Sequence, residues 1–206
     1  STRVRSSAAS DVYKRQTYAN GYVKNKVMEF VGPGVASLSA DCRNGIDCMT
    51  TETTCWSSIW QTDGVTEEYL AGHGRADAYK ELKPADVAYY DGCIELDLSK
   101  IECMIALPMH PSYAYPIREL KANAKDLLHE IETRANEQLS GKVKMDLVSK
   151  VRADGSIYVD QGIVAGCSGG TYENLCAVAD ILRGKSCGNG EFKFSAYPDS
   201  MPTYLE

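Results

Sequence analysis

An apolar run ending at Ala165 meets an amphipathic run starting at Tyr172 across five small residues, Gly166-Cys167-Ser168-Gly169-Gly170. Glycines let the backbone turn sharply and come close to a ligand. The segment therefore reads as strand, tight loop, helix, with Thr171 placed to cap the helix Tyr172–Leu182 and Glu173 and Asn174 in its first turn. A junction of this kind belongs to folds in which strands and helices alternate, and it sets the expected class as α/β.

The rest of the chain fits that class. Residues 22–31 alternate well enough for a strand, which Gly32-Pro33-Gly34 breaks. Residues 35–60 have helical character, and the turn signal Asn44-Gly45 places the start of that helix after it. Short helices are expected over 66–70, capped by Thr66, and over 76–82. Val87–Tyr90 and Cys93–Leu98 read as a hairpin about Asp91-Gly92, and Ile101–Leu107 reads as a third strand before a proline-bearing loop. Leu120, Ala124, Leu127, Leu128, Ile131, Ala135 and Leu139 form one stripe of a helix over 117–139. Val143, Met145 and Leu147 alternate with polar residues as a half-buried strand. Strands are expected over 157–165 and 192–196, and Asp199-Ser200 with Pro202 reads as a helix start.

Charge narrows the function classes. The chain carries −6 overall; residues 1–16 hold four bases (Arg3, Arg5, Lys14, Arg15) and one acid (Asp11), so the remainder carries −9. That balance argues against a general nucleic-acid binder, which needs a basic face. No stretch approaches the roughly 20 apolar residues of a membrane span. Residues 1–16, rich in Ser and Arg and without periodicity, read as a disordered or non-native leader. The eight cysteines include no Cys-x-x-Cys pair, which disfavours a zinc ribbon or a thioredoxin-like site. With no secretory signal, most of them, such as Cys103 and Cys176, are expected as buried free thiols in a reducing cytoplasm.

Cys167 lies where a helix N-terminus favours a thiolate, as nucleophile or as metal–sulfur ligand. A structural turn with an incidental cysteine weighs as much as the functional readings together. A nucleophile would want a histidine base, and nothing places His73, His110 or His129 near it. An anion-binding loop is open, although the Walker pattern is absent.

At this point a resemblance enters. Residues 165–174, Ala-Gly-Cys-Ser-Gly-Gly-Thr-Tyr-Glu-Asn, resemble the aconitase-family motif Gly-Ser-Cys-Thr-Asn-Ser followed by Tyr-Glu-Asp. Phe30-Val31-Gly32-Pro33-Gly34-Val35 followed by Ser37-Leu38-Ser39 resembles the family's His-Gly-Pro-Gly-Val segment, with Val31 in place of His. Met49-Thr50-Thr51-Glu52-Thr53-Thr54 resembles its Asn-Met-x-x-Glu helix, and Asp97-Leu98-Ser99 with Ile105-Ala106-Leu107-Pro108 its next strand region. Each motif is weak alone; four in the family's order, from about residue 26 onward, are specific.

The resemblance implies incomplete aconitase-like three-layer domains with mixed or parallel sheets. It implies part of the family's second domain over 17–89 and most of its third over 90–206, within a longer protein whose flanking domains are missing here. The implied activity is a hydro-lyase. It would reversibly dehydrate and hydrate a hydroxy-polycarboxylic acid at a [4Fe–4S] cluster held by three cysteines, and this stretch would be inactive alone. Cys167 matches the first cluster ligand. The other two lie in a downstream Cys-x-x-Cys that this chain does not contain, and Cys176 and Cys187 have the wrong spacing for them. Glu52 matches the glutamate that works on the water or hydroxyl beside the open iron. Cys48 stands where the family has Asn, and Ser168-Gly169 where it has Thr-Asn, so both Cys48 and Ser168 are expected to neighbour the iron site. These departures imply a divergent hydratase rather than the citrate enzyme. The three histidines and Arg75 are expected to be structural. Two other classes stay open: a cluster-free RNA-binding relative, which the charge disfavours, and a structural α/β module with incidental cysteines.

Overall fold

The computed structural model describes residues 21–110, 113–188 and 190–206. Residues 1–16, read above as a leader, lie outside the described residues.

The chain is α/β. In order, the described elements are β1 (Val27–Phe30), α1 (Ala40–Glu52), β2 (Ser57–Trp60), α2 (Gly64–Gly72), β3 (Met104–Ala106), β4 (Ala114–Pro116), α3 (Ile117–Ala122), α4 (Ala124–Gln138), β5 (Gln161–Val164), the single turn α5 (Gly166–Gly169), α6 (Tyr172–Leu182), β6 (Lys193–Ala196) and α7 (Met201–Leu205). The described strands form three two-stranded sheets. β1 and β2 pair in parallel, β3 and β4 antiparallel, and β5 and β6 in parallel. The two parallel pairs are each joined through helices, the crossover that parallel strands require. Thus β1–α1–β2 and β5–α5–α6–β6 are two units of the same plan.

Helix α1 starts ahead of Asn44-Gly45, not after it. Ser39 caps it, its hydroxyl accepting from Cys42 N at 3.1 Å. That cap and the burial of Gly45 on the packed face outweigh the cost of about 1 kcal/mol that glycine imposes inside a helix. The buried Leu38, Cys42 and Ile46 gather Phe30, Trp60, Leu98 and Ile101 into the first core. β2, which the helical reading of 35–60 hid, is tied to α1 by the Asp47 carboxylate, which accepts from Ser58 Oγ and from Trp60 Nε1 at 2.8 Å.

Arg43 is the buried cation of this unit. Its guanidinium forks onto both Asp63 oxygens at 2.8 and 2.7 Å, donates to Val35 O at 2.9 Å, and lies over the Trp60 ring. Asp63 caps α2 through Thr66 N, so the cap is Asp63 and not Thr66, and the helix runs further than expected. One interaction therefore fixes α1, α2 and the loop after β1.

The expected hairpin over 87–98 is absent. Val87, Tyr89 and Tyr90 are exposed, and no second layer covers them among the described residues. The segment instead touches the first unit ahead of β1, where Gly92 lies against the Tyr22 side chain. The helix expected over 76–82 is one 3-10 turn, Ala76–Ala78. In the supposed loop before residue 117, β4 pairs with β3.

The stripe over 117–139 does pack as one face. Leu120, Leu128 and Ile131 form the second core with Leu107, and Ala124 and Ala135 are buried beside them. The helix breaks at Asn123 (φ −128°), so it is two, α3 and α4. Residues 143–147 are not a strand. Side chains of α4 satisfy their backbone instead: Asn136 Oδ1 accepts from Met145 N at 2.7 Å, and Glu132 Oε2 from Leu147 N at 2.7 Å. The expected strand 157–165 shortens to β5, with Ile157 bridging back to Val151. Ser200 caps α7 as expected, accepting from Thr203 N at 3.4 Å.

Two outcomes test this packing. Arg43→Ala leaves Asp63 without its fork and lowers stability by about 3 kcal/mol in chemical denaturation. The Arg43 hydrogen bonds also hold the Asp63 carboxyl below its usual range. That stabilisation is full above the ordinary carboxylate pKa of about 4 and is lost as pH falls through the lower folded value. Denaturation midpoints of the wild type therefore fall with acid below about pH 4, and those of the variant fall less. Gly170→Ala is the second test. A Cβ there would sit 2.5 Å from Tyr197 O and 2.9 Å from Asp199 N, which are backbone atoms, so the Tyr197–Asp199 segment must move. The expected cost is about 2 kcal/mol, with faster alkylation of Cys48.

Candidate functional site

The two crossover units meet at the N-termini of their helices. Two helix N-termini repel, because each carries about half a positive charge. Here each unit supplies a carboxylate to the other. The Ser39 hydroxyl, at the start of α1, donates to Glu173 Oε2 at 2.7 Å; Glu173 N, in the first turn of α6, donates to Asp41 Oδ2 at 3.0 Å. Thr171 occupies the capping position of α6 and is buried, but its side chain makes no capping bond. Asp41 does that work from the other unit.

This arrangement sets α1 beside the loop after β5. Gly166 takes φ +85°, a conformation that disfavours side chains, and turns the chain out of β5. The expected tight loop is thereby wound into the turn α5, with Gly170 N donating to Gly166 O at 2.8 Å. Asn174 Nδ2 holds the turn from α6 through Ser168 O at 2.8 Å. Asp199 N donates to Gly170 O at 3.0 Å, which seats the start of α7 against the same glycine.

Cys167 stands exposed in the first turn of α5. The Cys48 thiol of α1 donates to Cys167 O at 3.6 Å. Partial burial, then the neighbouring Cys167 thiol, then the charges of Asp47 and Asp199 push the Cys48 thiol up to about 11. It is a protonated donor at neutral pH. Glu52 ends α1 one turn beyond Cys48, on the same face of the helix by its i+4 spacing, and is exposed. Of the four residues singled out from sequence, the structure brings Cys48 to Cys167, keeps Ser168 in the same turn, and sets Glu52 along the helix from Cys48.

The other cysteines depart from expectation. Cys42 alone is buried, and burial pushes its thiol up to about 11. Cys103 and Cys176 are exposed, as are Cys93 and Cys187. α6, which carries Cys176, buries none of its residues. His73 bonds Tyr69 O through Nδ1 at 2.8 Å, its ring tilted against the Tyr69 ring, and Arg75 N closes the end of α2 on Leu70 O, both local structural roles.

Sequence reading missed Asp41 and Asp199, and Glu173 as a bridge between units. Their signal was only that of acids near helix starts. With Glu173, these acids line a cavity of about 300 Å³ at the junction, together with Asn44, Thr171 and Tyr69. Its carboxylates make it unsuited to a polyanionic substrate.

No group of three or more His, Cys, Asp or Glu side chains that could hold a metal ion exists among the described residues. Cys167 by exposure and position suits a single thiolate ligand, and the described residues complete no cluster around it. No helix among them is long and apolar enough to cross a membrane.

Comparison with known proteins follows the same lines. The sequence profile of the aconitase family (aconitate hydratase) matches residues 11–205. The chain is 29% identical over 179 residues to the 2,3-dimethylmalate dehydratase large subunit of Eubacterium barkeri, a match covering 87% of this chain and 34% of that protein. It is 27% identical over 184 residues to the 3-isopropylmalate dehydratase large subunit of Clostridioides difficile, covering 88% and 35%. It is 28% identical over 165 residues to the protein so named from Caldicellulosiruptor bescii, covering 80% and 30%. The chain thus spans about a third of the length of these curated relatives. With a family match that runs over nearly its whole length, the chain belongs to the aconitase family.

Proposed function

We propose that these residues form the cluster-proximal part of a hydro-lyase large subunit that reversibly dehydrates a hydroxy-polycarboxylic acid. The substrate class favoured is a substituted malate, as in the names of the relatives at 27–29% identity. The observation that carries the reading is the placement of Cys167. It is exposed in the turn after β5, beside Cys48, with Glu52 one turn away on α1. The domain assignment proposed is 17–89 for a second-domain part and 90–206 for most of a third. The remaining domains, and a separate small subunit, would supply the rest of the site.

In this reading Cys167 provides one thiolate to a [4Fe–4S] cluster, and two further cysteines come from outside these residues. The cluster, when bound, supplies an electrophilic iron for the substrate hydroxyl and carboxylate. Glu52 holds the proton exchanged with the departing hydroxyl at its carboxylate, and returns it in the reverse direction. Cys48 puts a thiol, its S–H donated to Cys167 O, where the family's amide would stand. A thiol is a weaker donor and less polar than an amide, so this wall suits a substrate with an apolar substituent. The Ser168 carbonyl is held by Asn174, which fixes the turn that carries Cys167.

The test uses the full-length protein, reconstituted anaerobically with iron and sulfide. The wild type is expected to turn brown, and Cys167→Ala to lose that absorbance. Colour retained in Cys167→Ala would refute the ligand assignment. Glu52→Gln is expected to keep the absorbance while kcat falls about 10²–10⁴-fold with KM little changed. An unchanged kcat removes Glu52 from the proton path.

A further inference from the structure

Cys48 and Cys167 are 119 residues apart in sequence, yet the Cys48 sulfur lies 3.6 Å from Cys167 O. The contact does not depend on mobile surface chain. It is set by the bridge between α1 and α6 through Ser39, Asp41 and Glu173, and by the closure of α5 on Gly166 and Gly170. Some other cysteines have partners of a different kind. Cys42 packs with Leu38 and Ile46, and Cys55 contacts the Thr53 hydroxyl. Cys167 is exposed and meets a dissolved oxidant first; Cys48 stands half-buried behind it.

We propose that Cys48 and Cys167 form a reversible disulfide in the cluster-free protein, and that this bond withholds Cys167 from a metal. The pairing rests on the geometry alone; its consequence rests on the proposed role of Cys167. The oxidant is a small-molecule disulfide R–S–S–R. The Cys167 thiolate attacks one sulfur, the R–S–S–R bond breaks, and one RS⁻ leaves and takes up a proton. The Cys48 sulfur then attacks Cys167 in the mixed disulfide, giving up its proton, and the second RS⁻ leaves. Two electrons pass from the protein to the small disulfide, two RSH form, and two protein thiols become one disulfide. A reductant thiol reverses each step.

The experiment uses the full-length protein purified cluster-free under dithiothreitol, then incubated with oxidised glutathione. Free thiols are blocked with N-ethylmaleimide and the protein is digested without reduction for mass spectrometry. The expected result is a linked pair of peptides bearing Cys48 and Cys167, absent after dithiothreitol. In Cys48→Ser the link is lost and Cys167 carries glutathione instead; in Cys187→Ser the link persists. The oxidised wild type is expected to gain no brown absorbance on reconstitution, and to gain it once the disulfide has been reduced. Finding Cys167 of the wild type blocked or glutathionylated with no link to Cys48 overturns the pairing. An oxidised, linked protein that gains the cluster as readily as the reduced one overturns the withholding. Failure of the reduced protein to gain colour refutes the cluster reading of the preceding subsection, while the linked peptides still establish the pairing.

Discussion

The site depends on a meeting of two helix N-termini that would otherwise repel. Asp41 and Glu173 stand at the point of closest approach, and each serves the opposite helix: one accepts Glu173 N, the other the Ser39 hydroxyl. Carboxylates at helix starts are favoured by the local field, and a cap is worth about 1 kcal/mol. Two such interactions across one junction are a modest energy, but they act on orientation. They fix the α1 face that carries Cys48 against the turn that carries Cys167. The approach of Cys48 to Cys167 follows from that docking. Beneath it, Arg43 and Asp63 hold α1 to α2 and to the loop after β1, so the helix that brings Cys48 is itself held at its base.

Much of this was legible in the residues, for identifiable reasons. The stripe Leu120–Leu128–Ile131 and the segment Tyr172–Leu182 have the helical period and packed or wound as expected. The glycines around Cys167 marked a turn, and the turn is there. Errors came where tertiary contacts replaced local rules. β2 was hidden because Ser57 and Ser58 look polar and follow a helix directly; their place is set by Asp47 of α1. Residues 143–147 alternate like a strand but take their hydrogen bonds from Asn136 and Glu132. Asn44-Gly45 is a turn signal that a strong cap and burial override. The class α/β survived these errors because it rests on alternation, not on element ends.

The site was legible only in pieces. Cys167 stood out by its loop and, with Glu52 and Cys48, by resemblance to family motifs. No spacing rule relates residues 48 and 167, so their contact could not be read from sequence. The acids that make the contact were indistinguishable from ordinary solvated ones. The free thiols were also misjudged: an apolar neighbourhood in sequence suggested burial for Cys103 and Cys176, yet both stand on outer faces.

The separation in sequence has a consequence for how the site arises. Its contacts join Ser39 to Glu173 and Cys48 to Cys167 across 134 and 119 residues, whereas each crossover unit closes over a few dozen. Contacts of long range are the slow part of folding, since a large loop must close before they reward it. The two units are thus free to take shape before they dock, and the site exists only once both are made. Newly made chain passes through a period in which Cys167 is present and Cys48 is not yet beside it. Order of assembly, and not composition, decides what that thiol meets first.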